Sequence, residues 1–233
     1  MDSLVDNRID FSRQIEFDGL CSMGNNDKRS LNVIVGCGGI GFWLAIFLAM
    51  QGYYKFVLID DQKIEPSNLN RLPVPPSWVG LYKVNALRKV IRTLRPVTEI
   101  VKFNGRMYEE GFEYINILNK NNDKQVWDCT DDARVQKALS NWCKDKISYR
   151  KIGYEGFKVG TYTDFNVWTT DDYAPGYRTS NACAVTSALA GVVGIMANIL
   201  NLSQDIDLDM KEVLNGKKEK VVKSTGREAI LPI

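Results

Sequence analysis

Histidine is absent from the 233 residues. Its absence removes the commonest general base near neutral pH, every Cys/His or Ser/His nucleophile pair and every histidine-held metal. Cysteine is sparse and unpatterned: Cys21, Cys37, Cys129, Cys143 and Cys183 include no CxxC pair. An odd, scattered set of thiols predicts a reducing, cytoplasmic setting, with neither a disulfide framework nor a structural zinc. Excess charge is lacking as well. A net charge of +2 offers no electrostatic case for nucleic acid or a membrane surface, so neither is expected as a partner. The opening MDSLVDNRIDFSRQ is acidic and polar, unlike a signal peptide. Ala182 to Leu200, ACAVTSALAGVVGIMANIL, is long and uncharged enough to raise a membrane span. Its small residues, its Thr186, Ser187 and Asn198, and its lack of flanking aromatic or basic anchors predict instead a helix buried on all sides of a globular domain.

What the sequence does contain is concentrated between Asn32 and Arg71. Val33-Ile34-Val35 reads as a buried parallel strand, followed by Gly36-Cys37-Gly38-Gly39-Ile40-Gly41 and an apolar run to Met50 that suits a helix packed on a sheet. A second strand, Phe56 to Ile59, delivers Asp60 at its carboxyl end. This order predicts an α/β, Rossmann-like fold, a mostly parallel sheet with helices on both faces. Gly36, Gly38, Gly39 and Gly41 let the backbone turn tightly and approach phosphate, and the helix N-terminus offers free N–H groups to an anion. Asp60 stands where such an acid accepts hydrogen bonds from ribose hydroxyls. The set points to an adenine nucleotide without saying which.

Past Asp60 the chain reads Ser67-Asn68-Leu69-Asn70-Arg71, then a stiff loop with three prolines, then an amphipathic helix from Leu81 to Leu94 with Lys83 near its start. A strand is expected from Thr98 to Phe103, a short helix from Gly111 to Leu118 and a polar turn at Lys120 to Asp123. Val126 to Asp132 (VWDCTDD) is a strand ending in acids and a threonine, ahead of a helix from Ala133 to Lys144. Ligands sit beyond the carboxyl ends of strands in such sheets, so these acids either hold a metal there or, as Thr130 or Asp131, cap the helix. Ile147 to Gly153 reads as another core strand, and Gly156 to Asn166 as a hairpin outside the parallel sheet. Thr169 to Asn181 reads as an exposed polar loop, and the last thirty or so residues as a charged hairpin or tail.

In combination these segments resemble the ubiquitin-activating-enzyme superfamily, which includes the ThiF- and MoeB-type adenylyltransferases. The resemblance runs from Phe11 to about Leu200. It rests on the glycine loop with Asp60, the S-N-L-x-R segment ending at Arg71, Lys83, and Asp128-Cys129-Thr130-Asp131-Asp132 as a D-x-T-D-N motif with Asp132 replacing asparagine. Arg13-Gln14 match the family's R-Y-x-R-Q segment, with Asp10-Phe11 in place of Arg-Tyr. Two further departures are Leu72, where glutamine is usual, and Gln62, where a second acid is common.

The resemblance implies ATP and magnesium, with a substrate carboxylate attacking the α-phosphate and expelling pyrophosphate. Arg71 and Lys83 are then the cations on the phosphates, Asn68 a hydrogen-bond partner of the nucleotide and Asp131 the magnesium ligand. Arg13 would reach into the partner subunit's site in a homodimer. A carboxylate nucleophile is already ionised, so this chemistry needs positioning and charge neutralisation rather than a histidine base. The implied substrate is the C-terminal glycine carboxylate of a ubiquitin-like or sulfur-carrier protein. A modified tRNA base is the alternative within the family. An NAD-dependent oxidoreductase is the alternative from another class, resting on the glycine loop and Asp60 alone. Retention of Arg13, Arg71, Lys83 and Asp131 argues against an inactive scaffold. Cys183, in the first turn of a helix whose dipole favours thiolate, is either a thioester acceptor or a small buried residue. The chain then reads as one domain: an arm at 1–31, an ATP-binding adenylation domain at 32–200, and a tail or hairpin at 201–233.

Overall fold

Leu31–Val35 forms the first strand, β1, because an unbroken run of residues that tolerate burial can sit between two neighbouring strands and two helical layers. The computed structural model describes residues 30–107, 112, 115, 124–144, 147–165, 183–200, 202–216, 220–222 and 228–230. Among them, β2 (Lys55–Ile59), β3 (Glu99–Phe103), β4 (Lys124–Asp128), β5 (Ser148–Glu155), β6 (Lys158–Tyr162) and β7 (Ile206–Asp209) join β1 in one sheet. The order is β3-β2-β1-β4-β5-β6-β7, parallel from β3 to β5. The chain therefore builds outward from β1 to one side and returns to its other side at β4. The split between β1 and β4 is the topological switch point, where open α/β sheets bind ligands.

The period-two alternation of the strands divides the core into two layers. Ile34, Phe56, Leu58, Trp127 and Ile152 face one layer, together with α1 (Gly39–Met50), α2 (Lys83–Leu94) and α4 (Ala184–Ile199). Val33, Val35, Val57, Ile59 and Val126 face the other, with Val135 and Leu139 of α3 (Ala133–Cys143). α1 is buried on nearly every side because it lies between the sheet and α4. Phe42, Leu44 and Leu48 have almost no exposed surface, and each contributes about 1.5–3 kcal/mol of apolar burial. α2 instead buries one stripe, Val84, Leu87 and Ile91, at the spacing of an amphipathic helix.

Two expectations change. The hairpin at Gly156–Asn166 is not outside the parallel sheet but continues it. β5 is eight residues long, so it pairs parallel with β4 through Lys151 and antiparallel with β6 from Lys151 to Glu155. The helix at Ala182–Leu200 is not buried on all sides. Its inner face of Ala190, Gly191, Gly194 and Ala197 packs on α1 and the sheet, while Val185 is 74% and Met196 41% exposed. No described helix is long and apolar enough to cross a membrane. A short helix α5 (Met210–Leu214) follows β7, and Lys220–Val222 (β8) pairs antiparallel with Glu228–Ile230 (β9). Arg13, Cys21, the turns at Gly24–Asp27 and Lys120–Asp123 and the loop at Thr169–Asn181 lie outside the described residues, as does all but Phe112 and Ile115 of the expected helix at Gly111–Leu118.

The small inner face of α4 is required by space. A Cβ built on Gly191 would stand 3.3 Å from the Leu44 backbone nitrogen, closer than an added side chain tolerates without moving α1. Gly191→Val is expected to destabilise the fold by about 1–3 kcal/mol through overpacking, read as a lower urea midpoint at unchanged slope. An unchanged midpoint would show that α4 does not seat this closely.

Candidate active site

The glycine loop leaves β1 in a turn that only glycine accommodates at its first position. Gly36 has φ +88°, and a Cβ there would lie 2.7 Å from the carbonyl oxygen of Cys129 at the end of β4. A Cβ on Gly41 would collide with the Gly36 carbonyl, so α1 seats directly on the loop. Gly38 is the N-cap of α1, has no side-chain cap, and faces open space among the described residues. The first N–H groups of α1 are thus presented to a cavity of about 610 Å³ at the carboxyl ends of β1, β2, β4 and β5. That volume suits a small-molecule ligand.

Asp60 ends β2 at the edge of this cavity. Its Oδ2 accepts the Cys37 N–H at 2.8 Å and its Oδ1 the Gln62 N–H at 2.7 Å. Burial pushes its pKa above the usual carboxylate range, while nearby Lys83 and the two N–H groups oppose the rise. Asn68 is buried in the 3₁₀ turn Pro66–Asn68, where its Oδ1 accepts the Glu65 N–H at 3.1 Å. This turn aims Arg71 at the cavity. The Arg71 guanidinium donates to the Ser67 carbonyl at 2.8 Å and Asn70 Oδ1 at 3.0 Å, and the Trp43 indole N–H donates to the Arg71 carbonyl at 2.9 Å. Lys83 is buried as the first residue of α2, and its Nζ donates to Gln62 Oε1 at 2.5 Å. A cation is unfavourable at a helix N-terminus. Lys83 therefore stands where the backbone disfavours it, held by an uncharged partner.

The acids after β4 divide into different roles. Asp128 is fully buried and internal: it accepts from Thr130 N–H at 3.1 Å, Thr130 Oγ1 at 2.8 Å and the Tyr149 hydroxyl at 2.8 Å. Asp132, rather than Thr130 or Asp131, caps α3, accepting the Arg134 N–H at 3.0 Å. The Arg134 side chain holds its carboxyl below the usual range. Asp131 is left exposed at the cavity wall.

Three cavity residues went unread in the sequence. Arg106 pairs with Asp61 at 2.7 Å and reaches toward Asp132 at 3.9 Å, tying the loop after β2 to that after β4. Lys151 of β5 is buried, and its Nζ donates to Gln136 Oε1 of α3 at 2.6 Å. Two consecutive basic residues, Arg150-Lys151, inside a strand that reads as core were the available signal for Lys151; nothing local marks Arg106. Cys183 does not line the cavity. It is the exposed N-cap of α4, with Sγ 3.3 Å from Thr186 Oγ1. The next turn brings Ser187 against the glycine loop, since a Cβ on Gly39 would meet Ser187 Oγ at 2.7 Å and Arg71 Cδ at 3.0 Å.

The family model described as ThiF family matches residues 11–204. A probable molybdopterin-synthase adenylyltransferase of Porphyra purpurea is 28% identical over 199 residues, covering 81% of this chain and 51% of that protein. Ubiquitin-like modifier-activating enzyme 5 of Aedes aegypti is 27% identical over 175 residues, covering 71% and 42%. The chain thus spans about half the length of these curated relatives. Among solved structures, Escherichia coli MccB with MccA-N7isoASN superposes with a TM-score of 0.69 at 17% identity, over 88% of this chain and 69% of that one; this likeness concerns the fold.

The thiols should differ in reactivity. Hydrogen bonding from Thr186 lowers the Cys183 thiol below its ordinary value, whereas burial raises those of Cys37 and Cys129 well above it and that of Cys143 to about 12. Lowering means that thiolate is present at lower pH. Peptide mass mapping after iodoacetamide should find Cys183 alkylated first, with a midpoint below that of free cysteine that moves up in Thr186→Val. Equal labelling of Cys183 and Cys143 in the folded protein would contradict this.

Proposed function

Since the chain belongs to the ThiF family, we propose that it is an ATP-dependent adenylyltransferase acting on the C-terminal glycine carboxylate of a ubiquitin-like or sulfur-carrier protein. One observation carries the reading: Lys83 and Arg71 converge beside the glycine cradle, with their head groups donating to neutral oxygens. A dinucleotide oxidoreductase needs the cradle and Asp60 but not these cations.

In this mechanism Asp60 receives the ribose hydroxyls, and its two N–H braces fix the direction of its remaining lone pairs. The glycine loop and the first turn of α1 lie along the phosphates. Arg71 and Lys83 stabilise the charge that grows on the departing pyrophosphate. Magnesium is usually held by one or two carboxylates together with nucleotide phosphates, and Asp131 is the acid left available once Asp128 and Asp132 are committed internally. Asn68 acts through the turn that presents Arg71, and its amide is close enough to line the nucleotide site. Cys183 is the candidate acceptor should a thioester follow; its exposure and lowered thiol favour that use over packing.

The functional unit is a homodimer in which Arg13 completes the partner's site. The outward stripe of Val185, Val192, Met196 and Leu200 on α4 and beyond its end offers an apolar surface for a second copy.

Magnesium-dependent exchange of labelled pyrophosphate into ATP, stimulated by the carrier protein, is the expected activity. Lys83→Ala and Arg71→Ala should each lower it by about a hundredfold or more. Wild-type exchange in either variant, or binding of NAD in preference to ATP, would remove the assignment.

Mixing Arg13→Ala with Lys83→Ala protein tests the dimer. Exchange of subunits gives one intact site per heterodimer if Arg13 acts across the interface, so activity should partly return. Continued inactivity after verified subunit exchange would place Arg13 in its own subunit's site.

A further inference from the structure

Arg71 is held in two ways that have different consequences. Its backbone N–H donates to the Asn68 carbonyl at 3.0 Å, and its guanidinium donates to the Ser67 carbonyl and Asn70 Oδ1. These bonds stay within residues 67–71, so they shape Arg71 relative to its own loop. The Trp43 indole N–H crosses between elements: from α1, 28 residues earlier in the chain, it donates to the Arg71 carbonyl at 2.9 Å. Leu69 and Leu72 pack the same loop into the apolar layer, but apolar contact is non-directional. A hydrogen bond has both a length and a direction, so it sets the register of loop against helix.

Trp43 is built into the helix for this contact. Gly39 and Trp43 are four residues apart on α1 and therefore share one face of it. The Arg71 stem crosses that face at Gly39, where an added Cβ would stand 3.0 Å from Arg71 Cδ. The indole stacks on Phe47, a further four residues along, with ring centroids 5.8 Å and planes 26° apart. α1 thus gives Arg71 room for its stem at Gly39 and a donor for its carbonyl at Trp43, with Phe47 fixing the ring. The same helix presents its first N–H groups to the cavity, whereas Trp43 itself does not line it.

Resting on the adenylyltransferase reading above, we propose that Trp43 is the positioning residue of Arg71. Its indole N–H locks the arginine loop to α1, so that the cation and the helix N-terminus act on one set of phosphates. A positioned group displaced by about 1 Å can lose about a hundredfold in rate, which makes this register matter. Trp43 acts through Arg71 alone. Its effect is therefore confined to ligands that carry the β- and γ-phosphates on which Arg71 acts, and AMP, which lacks them, is indifferent to it.

Calorimetric titration of the whole chain with ATP and magnesium, and separately with AMP, gives the preference for the triphosphate. Arg71→Ala should reduce that preference by about tenfold or more, the loss of charge-assisted bonds to phosphate. Trp43→Phe keeps a ring on Phe47 and removes the N–H. It should weaken ATP by about three- to tenfold, the worth of one neutral hydrogen bond, and leave AMP unchanged. Added to Arg71→Ala, it should cause no further loss, because the side chain it positions is gone. Trp43→Met also lacks the donor; cooperative thermal unfolding identifies which variant is folded, and either one alone suffices. Equal weakening of ATP and AMP, an unchanged preference, or a loss that adds in full to that of Arg71→Ala overturns the role. Failure of both variants to fold overturns it too, since Trp43 is then a packing residue. Failure of the wild type to bind ATP with magnesium, or an unchanged preference in Arg71→Ala, would instead overturn the adenylyltransferase reading itself.

Discussion

The close approach of Gly36 to the Cys129 carbonyl is the constraint on which the site depends. β1 and β4 are neighbours in register up to this point, and the next residue of each strand must leave in a different direction. With no side chain at Gly36 the two backbones stay in contact until they diverge. α1 then rises from one and the Thr130–Asp132 loop from the other. The cavity opens above that divergence. A methyl group at Gly36 would be strained by its positive φ and crowded by the facing strand. Gly41 serves the same geometry one turn later, letting α1 sit on the Gly36 carbonyl.

Charge in the cavity follows from how each head group is held. Lys83, Arg71 and Lys151 are positioned by amide or carbonyl oxygens, which fix their direction. The acids are treated differently. Asp128 is consumed by internal donors, Asp132 by the α3 cap and Arg134, and Asp61 by Arg106. Asp60, Glu65 and Asp131 remain at the cavity wall. The outcome is a cavity that gathers both signs of charge, in a chain that as a whole carries only +2. Net charge describes the solvated surface and says little about a site where direction and desolvation decide the interaction.

Gln62 and Leu72 show how departures from a motif are absorbed. Gln62 takes the Lys83 ammonium where an acid would neutralise it. Leu72 is buried in the α1–α2 layer, so its position in this chain is a packing position. Arg106 supplies an ion-pair tie between loops that are far apart in sequence, an arrangement no local pattern announces.

The sequence alone determined the strand, glycine turn, helix and acid between Leu31 and Asp60, because burial on both faces and the backbone demands of glycine act over a few residues. It likewise marked the α/β layering, the amphipathic helix at Lys83 and the acid cluster after β4. Tertiary structure decided which acid caps α3, because Thr130, Asp131 and Asp132 differ only in where the end of β4 directs them. It also joined β6 to the main sheet, since an eight-residue β5 offers partners on both edges that periodicity cannot distinguish. It left one side of α4 uncovered, because a helix of small and apolar residues reads the same whether one face or every face is packed. And it brought Lys151, Gln136 and Arg106 to the cavity, since convergence of side chains from β5, α3 and the end of β3 depends on strand order, a property of the whole chain and not of any segment.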